Sequence, residues 1–143
     1  MASTLKINTL TGVTTAGSIA VTGEGNSTTT NLQQGLCKHW INIDGTGTIA
    51  TRDSFNNSSI TDVNTGTYKF TFSNNMANDD FCAASIGKMN RGTDNNGGAN
   101  GVNTSDGEDA VNTTDFTVAY INVHSTSDVD VGYAGGHVRG DLA

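Results

Sequence analysis

Basic residues are scarce in this chain: seven Lys and Arg stand against fourteen Asp and Glu in 143 residues, a formal net charge of −7. Binding to nucleic-acid phosphates needs clustered Lys and Arg, and these seven are scattered, so nucleic acid is not expected as a partner. Proline is absent and the good helix formers are few, so almost no helix is expected. Cys37 and Cys82 lie far apart with no His or Cys at ligand spacing. That pattern argues for two buried thiols rather than a disulfide or a zinc site. No segment approaches the ~20 apolar residues of a membrane-spanning helix, so membrane insertion is not expected. The start Met1-Ala2-Ser3-Thr4-Leu5-Lys6 lacks the basic stretch and apolar core of a secretory signal, which points to a protein made and kept in a cytosol.

What fills the chain instead is Thr, Ser, Asn and Gly, 68 of 143 residues. Thr is a β-branched strand former, and Asn and Gly accept the positive φ of tight turns, so this composition favours strands joined by turns. Leu, Ile, Val and Phe together number only 28, which leaves a thin core for a monomer. A short polar β chain usually escapes that limit by burying apolar positions against copies of itself, and an obligate oligomer is therefore expected.

Residues 1–36 differ from the rest. Leu5 and Ile7, then Ile19 and Val21, alternate with polar residues as two short strands, but the segment has no aromatic residue and cannot bury its own apolar face. It reads as an extended N-terminal arm ordered by neighbouring chains or a docking protein. Asn31 to Leu36 is the one candidate helical turn, with Thr28, Thr29 and Thr30 as possible caps. From Cys37 the period becomes two, with Cys37, His39, Ile41 and Ile43 on one face and Lys38, Trp40 and Asn42 on the other. Trp40 thus sits opposite the aliphatic set, where a subunit contact would bury it. Tyr68, Phe70 and Phe72 form the clearest strand and an aromatic wall, followed by strands over 81–86 and 116–123. The 116–123 strand is apolar on both faces, as a central or interfacial strand is, and Ile121 is placed at the oligomer contact. Val129, Val131 and Tyr133 suggest a last strand, after which the glycine-rich end is expected to fray. The pattern predicts an all-β fold, a small antiparallel sandwich or jelly-roll-like domain over 37–143 behind the arm of 1–36.

Between Gly87 and Asp115 the run 91–101 has no apolar residue larger than Ala, so a long surface loop is expected there. Its Asp94, Asn95, Asn96, Asn100 and Asn103 could match sugar hydroxyls without a deep pocket.

The block Trp40-Ile41-Asn42-Ile43-Asp44-Gly45-Thr46-Gly47-Thr48, followed by Ser58-Ser59-Ile60-Thr61-Asp62 and Gly66-Thr67-Tyr68-Lys69-Phe70-Thr71-Phe72, resembles a repeated module of tailed-bacteriophage fibre and virion proteins. Ala2 to Thr9 is similar to the start of fibre-like virion proteins of marine and cyanobacterial phages. The resemblance covers residues 37–83 well and implies a homotrimeric, β-rich virion component, assembled in the host bacterial cytoplasm. In it the first residues dock on other virion proteins of tail or capsid and the compact domain points outward. Leu5, Ile7, Trp40 and Ile121 are then the expected interface residues and host surface glycan the expected ligand of the 94–103 loop. The placement preferred is a short tail fibre; a capsid decoration or head-fibre protein is the alternative, and a polysaccharide-degrading spike a distant one.

Signs of catalysis are weak. His39, His124 and His137 occur in unrelated settings, with no orienting carboxylate and nucleophile at recognisable spacing. The twelve Asp and two Glu are what a polar surface would scatter, so no enzyme is expected. Asp106-Gly107-Glu108-Asp109 and Asp128/Asp130 do not match a calcium loop, and no metal or cofactor is expected. Arg139-Gly140-Asp141 is an isolated tripeptide without supporting context.

Overall fold

A computed structural model of the chain describes residues 4–12, 19–23, 25, 28–88, 98–102, 111–122 and 127–143. They fall into two compact units, Met1–Leu36 and Cys37–Ala143.

In the first unit, strands β1 (Ala20–Thr22) and β2 (Thr29–Asn31) form a short antiparallel hairpin, closed by a 2.9 Å bond from Gly23 N–H to the Thr28 carbonyl. One helical turn, α1 (Leu32–Gly35), follows. Its cap is Asn31, whose Oδ1 accepts from Gln34 N–H at 3.1 Å; Thr29 and Thr30, expected as caps, are spent on the ladder of β2. The strand expected around Leu5 and Ile7 does not form within the described residues. The 4–12 segment carries no strand, and Leu5 is 79% exposed.

The second unit is an all-β sandwich. Strands β3 (His39–Asp44), β4 (Ala50–Phe55), β5 (Asn57–Asn64), β6 (Thr67–Phe72), β7 (Cys82–Lys88), β8 (Gly98–Val102), β9 (Asp115–Asn122), β10 (Ser127–Asp128) and β11 (Tyr133–Arg139) make two antiparallel sheets. One has the order β4-β3-β11-β7; the other has β10-β9-β6-β5, with β8 on the remaining side of β9. The Trp40–Phe72 block supplies two consecutive hairpins, β3–β4 in one sheet and β5–β6 in the other. Its turns are built locally. Asp44 Oδ1 accepts from Thr46 N–H at 3.1 Å and Thr46 Oγ1 at 2.6 Å, and Gly47 and Gly66 take φ of 66° and 71°. Between β4 and β5, Asn56 holds φ 57°, a left-handed conformation that Asn tolerates better than most residues.

Strand alternation sends His39, Ile41 and Ile43 of β3 and Ala134, Gly136 and Val138 of β11 inward against Tyr68, Phe70 and Phe72 of β6 and Phe116, Val118 and Tyr120 of β9. Phe116 is the hub, with ring centroids 5.2 Å from Phe70, 5.8 Å from Phe72 and 5.2 Å from His39. Tyr120 is pushed up to about 12 by burial, and its hydroxyl faces the Ile86 and Gly135 carbonyls at 3.1 and 3.2 Å, tying β9 to the opposite sheet.

Three expectations need correction. The glycine-rich end does not fray: Tyr133–Arg139 is a central strand, paired with β3 on one side and β7 on the other. Gly136 is what allows this, since a Cβ there would stand 3.2 Å from the Phe116 ring. The 91–101 run is not all loop, because Gly98–Val102 pairs with Val118–Asn122. Main-chain ladder bonds need no large side chain, so a lack of bulk did not exclude a strand. Cys37 and Cys82 are free thiols, as expected, but both are exposed rather than buried.

Candidate functional site

The outward face of the four-stranded sheet is the most chemically distinctive surface among the described residues. The alternation that buries Ile41 and Ile43 turns Trp40 and Asn42 outward on β3, and the same rule turns Tyr133, Gly135 and His137 outward on β11. Register then sets two cross-strand rows. Phe55, Trp40, His137 and Ala84 stand side by side across β4, β3, β11 and β7. Asp53, Asn42, Gly135 and Ile86 form the next row. At the centre Gly135 has no side chain, and a Cβ there would approach the Ile41 carbonyl to 2.8 Å. The missing side chain leaves a depression of about 330 Å³ lined by Trp40, Ile86, Tyr133, Gly135, Gly136 and His137, among others.

The walls are open. Trp40 is 38%, Tyr133 39% and Ile86 61% exposed, with Phe55 beside them at 51%. Tyr133 is held from one side by Arg52, whose guanidinium carbon lies 5.7 Å from the ring centroid. Arg52 is itself fixed, donating through Nη1 to the Ile43 carbonyl at 2.9 Å and through Nη2 to Asp44 Oδ2 at 2.7 Å. Hydrogen bonds from Thr46 and then the charge of Arg52 hold the Asp44 carboxyl below its usual range. In the central row, Asn42 Oδ1 is buried without a hydrogen-bond partner among the described residues. An acceptor in that state gains from a donor brought close to it.

Of the residues expected at a subunit contact, the two in the second unit, Trp40 and Ile121, stand on different sheets. Leu5 and Ile7 are exposed in the first unit, Trp40 lies on the outer face of the four-stranded sheet, and Ile121 is exposed on the outer face of the other sheet. Of the expected sugar-contacting residues, Asp94, Asn95, Asn96 and Asn103 lie outside the described residues, and Asn100 is placed by its backbone on β8 opposite Tyr120. The Asp106–Asp109 cluster and His124 also lie outside them.

His39 is no base. It is fully buried, its ring packs against Phe72 and Phe116, and Nε2 lies 3.2 Å from Asn57 Oδ1. Burial lowers its pKa, which keeps the imidazole neutral. Asp130 is taken up structurally, accepting from Gly66 N–H at 2.7 Å and lying 3.2 Å from the buried Tyr68 hydroxyl. Among the described residues no three His, Cys, Asp or Glu side chains gather as metal ligands, and no helix is long and apolar enough to cross a membrane.

Sequence reasoning placed Trp40 outward on β3 and put Tyr133 at the end of a last strand with Val129 and Val131, whereas 129–132 carries no strand and β11 begins at Tyr133; it missed Gly135 and His137, because the glycine-rich end was read as frayed. The signal was present: in 133–139 the large or polar Tyr133, His137 and Arg139 alternate with the small or apolar Ala134, Gly136 and Val138. Compared with protein-family models, curated proteins and solved structures, the chain matches none.

Proposed function

We propose that the protein is a structural component of a tailed-bacteriophage virion, a short fibre-like subunit that docks through residues 1–36 and self-associates as a homotrimer. The observation that carries this reading is the state of the 4–12 segment. Leu5, Ile7 and Leu10 are all exposed on a stretch that carries no strand. Three large apolar side chains on one short segment are costly in water unless a partner covers them, and a docking arm supplies that partner. The resemblance of the Trp40–Phe72 block and of Ala2–Thr9 to fibre-like virion proteins gives the partner its identity, namely other virion proteins and further copies of this chain. Ile121, exposed on the five-stranded sheet, is the second element of the self-contact in this reading. No catalytic role is proposed, since His39 is committed to the core.

The test is a deletion of residues 1–36. The truncated protein is expected to fold as a β domain by circular dichroism and to be lost from purified particles. Truncated protein that still joins particles at normal occupancy would contradict the docking role. Sedimentation equilibrium of the full chain, with Ile121→Asp as the comparison, is expected to show a trimer that dissociates in the variant.

A further inference from the structure

Beyond the virion reading, and independent of it, we infer that the depression on the four-stranded sheet is a binding site for a neutral oligosaccharide. The occupant follows from the chemistry of the lining. Trp40 and Tyr133 stand at its two ends, four positions apart along β11 through the Trp40–His137 pairing, a separation of about 13 Å at strand rise. Gly135 keeps the floor between them low. The site is thus a shallow channel with a flat aromatic face at each end and the exposed imidazole of His137 beside Trp40. Linked pyranose rings have the same two-sided character: faces of C–H groups that stack on aromatic rings, and edges of hydroxyls that both donate and accept.

A peptide strand and a polyanion fit less well. The exposed parts of Trp40, Phe55, Ile86 and Tyr133 leave on the order of 400 Å² of open apolar surface, comparable with the apolar share of one side of a small protein interface, so a second copy is the competing occupant, which the association state separates. An added peptide strand finds no free main-chain groups on this face, because β3 and β11 are paired on both sides. A polyanion meets Asp44 and Asp53, with Arg52 already committed to Asp44. The volume of about 330 Å³ sits at the lower end of the range for small-molecule sites and suits part of a short chain of sugar rings. The Arg52 clamp on Tyr133 holds one aromatic wall before ligand arrives, which lowers the ordering cost of binding.

Trp40 is the only tryptophan of the chain, so its emission reports directly on the site. Full-length protein would be titrated with cellohexaose, maltohexaose, xylohexaose and mannohexaose. At least one is expected to give a saturable shift in Trp40 emission, weakened tenfold or more by Tyr133→Ala. Calorimetry with the same sugar should show a comparable loss in Trp40→Ala, whose side chain is partly exposed and whose fold is checked by circular dichroism. Thr61→Ala, exposed on β5 of the opposite sheet, should bind as the parent does. No saturable shift with any of the four sugars overturns the inference, as does binding that survives both aromatic substitutions. An association state that falls in Trp40→Ala, with no sugar binding by the parent, would assign the face to a second copy instead. None of these outcomes depends on whether the arm docks on a particle.

Discussion

Phe116 and Gly136 face each other across the interior of the sandwich, and their coupling can be measured. A methyl added at Gly136 would stand 3.2 and 3.3 Å from two Phe116 ring atoms and 3.4 Å from the Ala84 carbonyl, so Gly136→Ala overpacks a fully buried site. Overpacking costs about 1 to 3 kcal/mol, offset by roughly 0.4 to 1 kcal/mol from the reduced freedom of the unfolded chain. The net effect in the parent is a loss of about 1 kcal/mol. Phe116→Leu removes the ring atoms that the methyl strikes and costs about 1 to 2 kcal/mol for the space it opens. In that background the methyl has room, and Gly136→Ala should become neutral or stabilising. The double-mutant cycle should therefore show a coupling of about 1 to 2 kcal/mol in the favourable direction. Urea unfolding at fixed protein concentration reads it as a midpoint difference of about 0.5 to 1 M, followed by far-ultraviolet circular dichroism. Additive effects, within about 0.5 kcal/mol, would refute the packing of β11 against β9 and with it the place of the glycine-rich segment in the core.

His39 gives a pH dependence with a definite sign. Burial lowers its folded pKa below the ordinary 6.5, so the unfolded chain binds the extra proton, and this contribution to stability is complete above pH 6.5 and lost as pH falls below it. Unfolding midpoints should fall between pH 7.5 and 5.5 in the parent, with a shallower slope in His39→Phe; an unchanged slope would contradict neutral burial. Asn56→Gly keeps the 57° φ but loses the Nδ2 bonds to the Lys38 and Asn74 carbonyls at 2.9 and 3.0 Å and the 2.7 Å bond from Asn74 N–H, a cost of about 2 kcal/mol. Asn56→Ala should lose roughly 1 kcal/mol more, because alanine also resists the left-handed backbone; equal melting of the two variants would refute the backbone part of the argument.

Much of the sandwich was legible because its strands obey a simple period. The β3 alternation from His39 to Ile43 and the β6 wall of Tyr68, Phe70 and Phe72 could be read directly, since large apolar residues mark the buried face. β11 was not legible on that rule. Its inward positions include Gly136, where bulk is absent because the Phe116 ring occupies the space, so packing erased the signal that hydrophobicity would have carried. β8 was missed for a related reason: Gly98–Val102 is recognised by its ladder with β9, a long-range relation that local composition does not encode. The binding face inherits this split. Trp40 could be placed outward from β3 alone, but Tyr133, Gly135 and His137 join it only through the register of β11.

The copy number of the chain in purified phage particles, measured by quantitative mass spectrometry, tests the central claim most directly. The fibre reading predicts that the chain is present at a small multiple of three per particle and disappears when residues 1–36 are deleted. Absence from particles, with the full-length protein made normally in the infected cell, would contradict it.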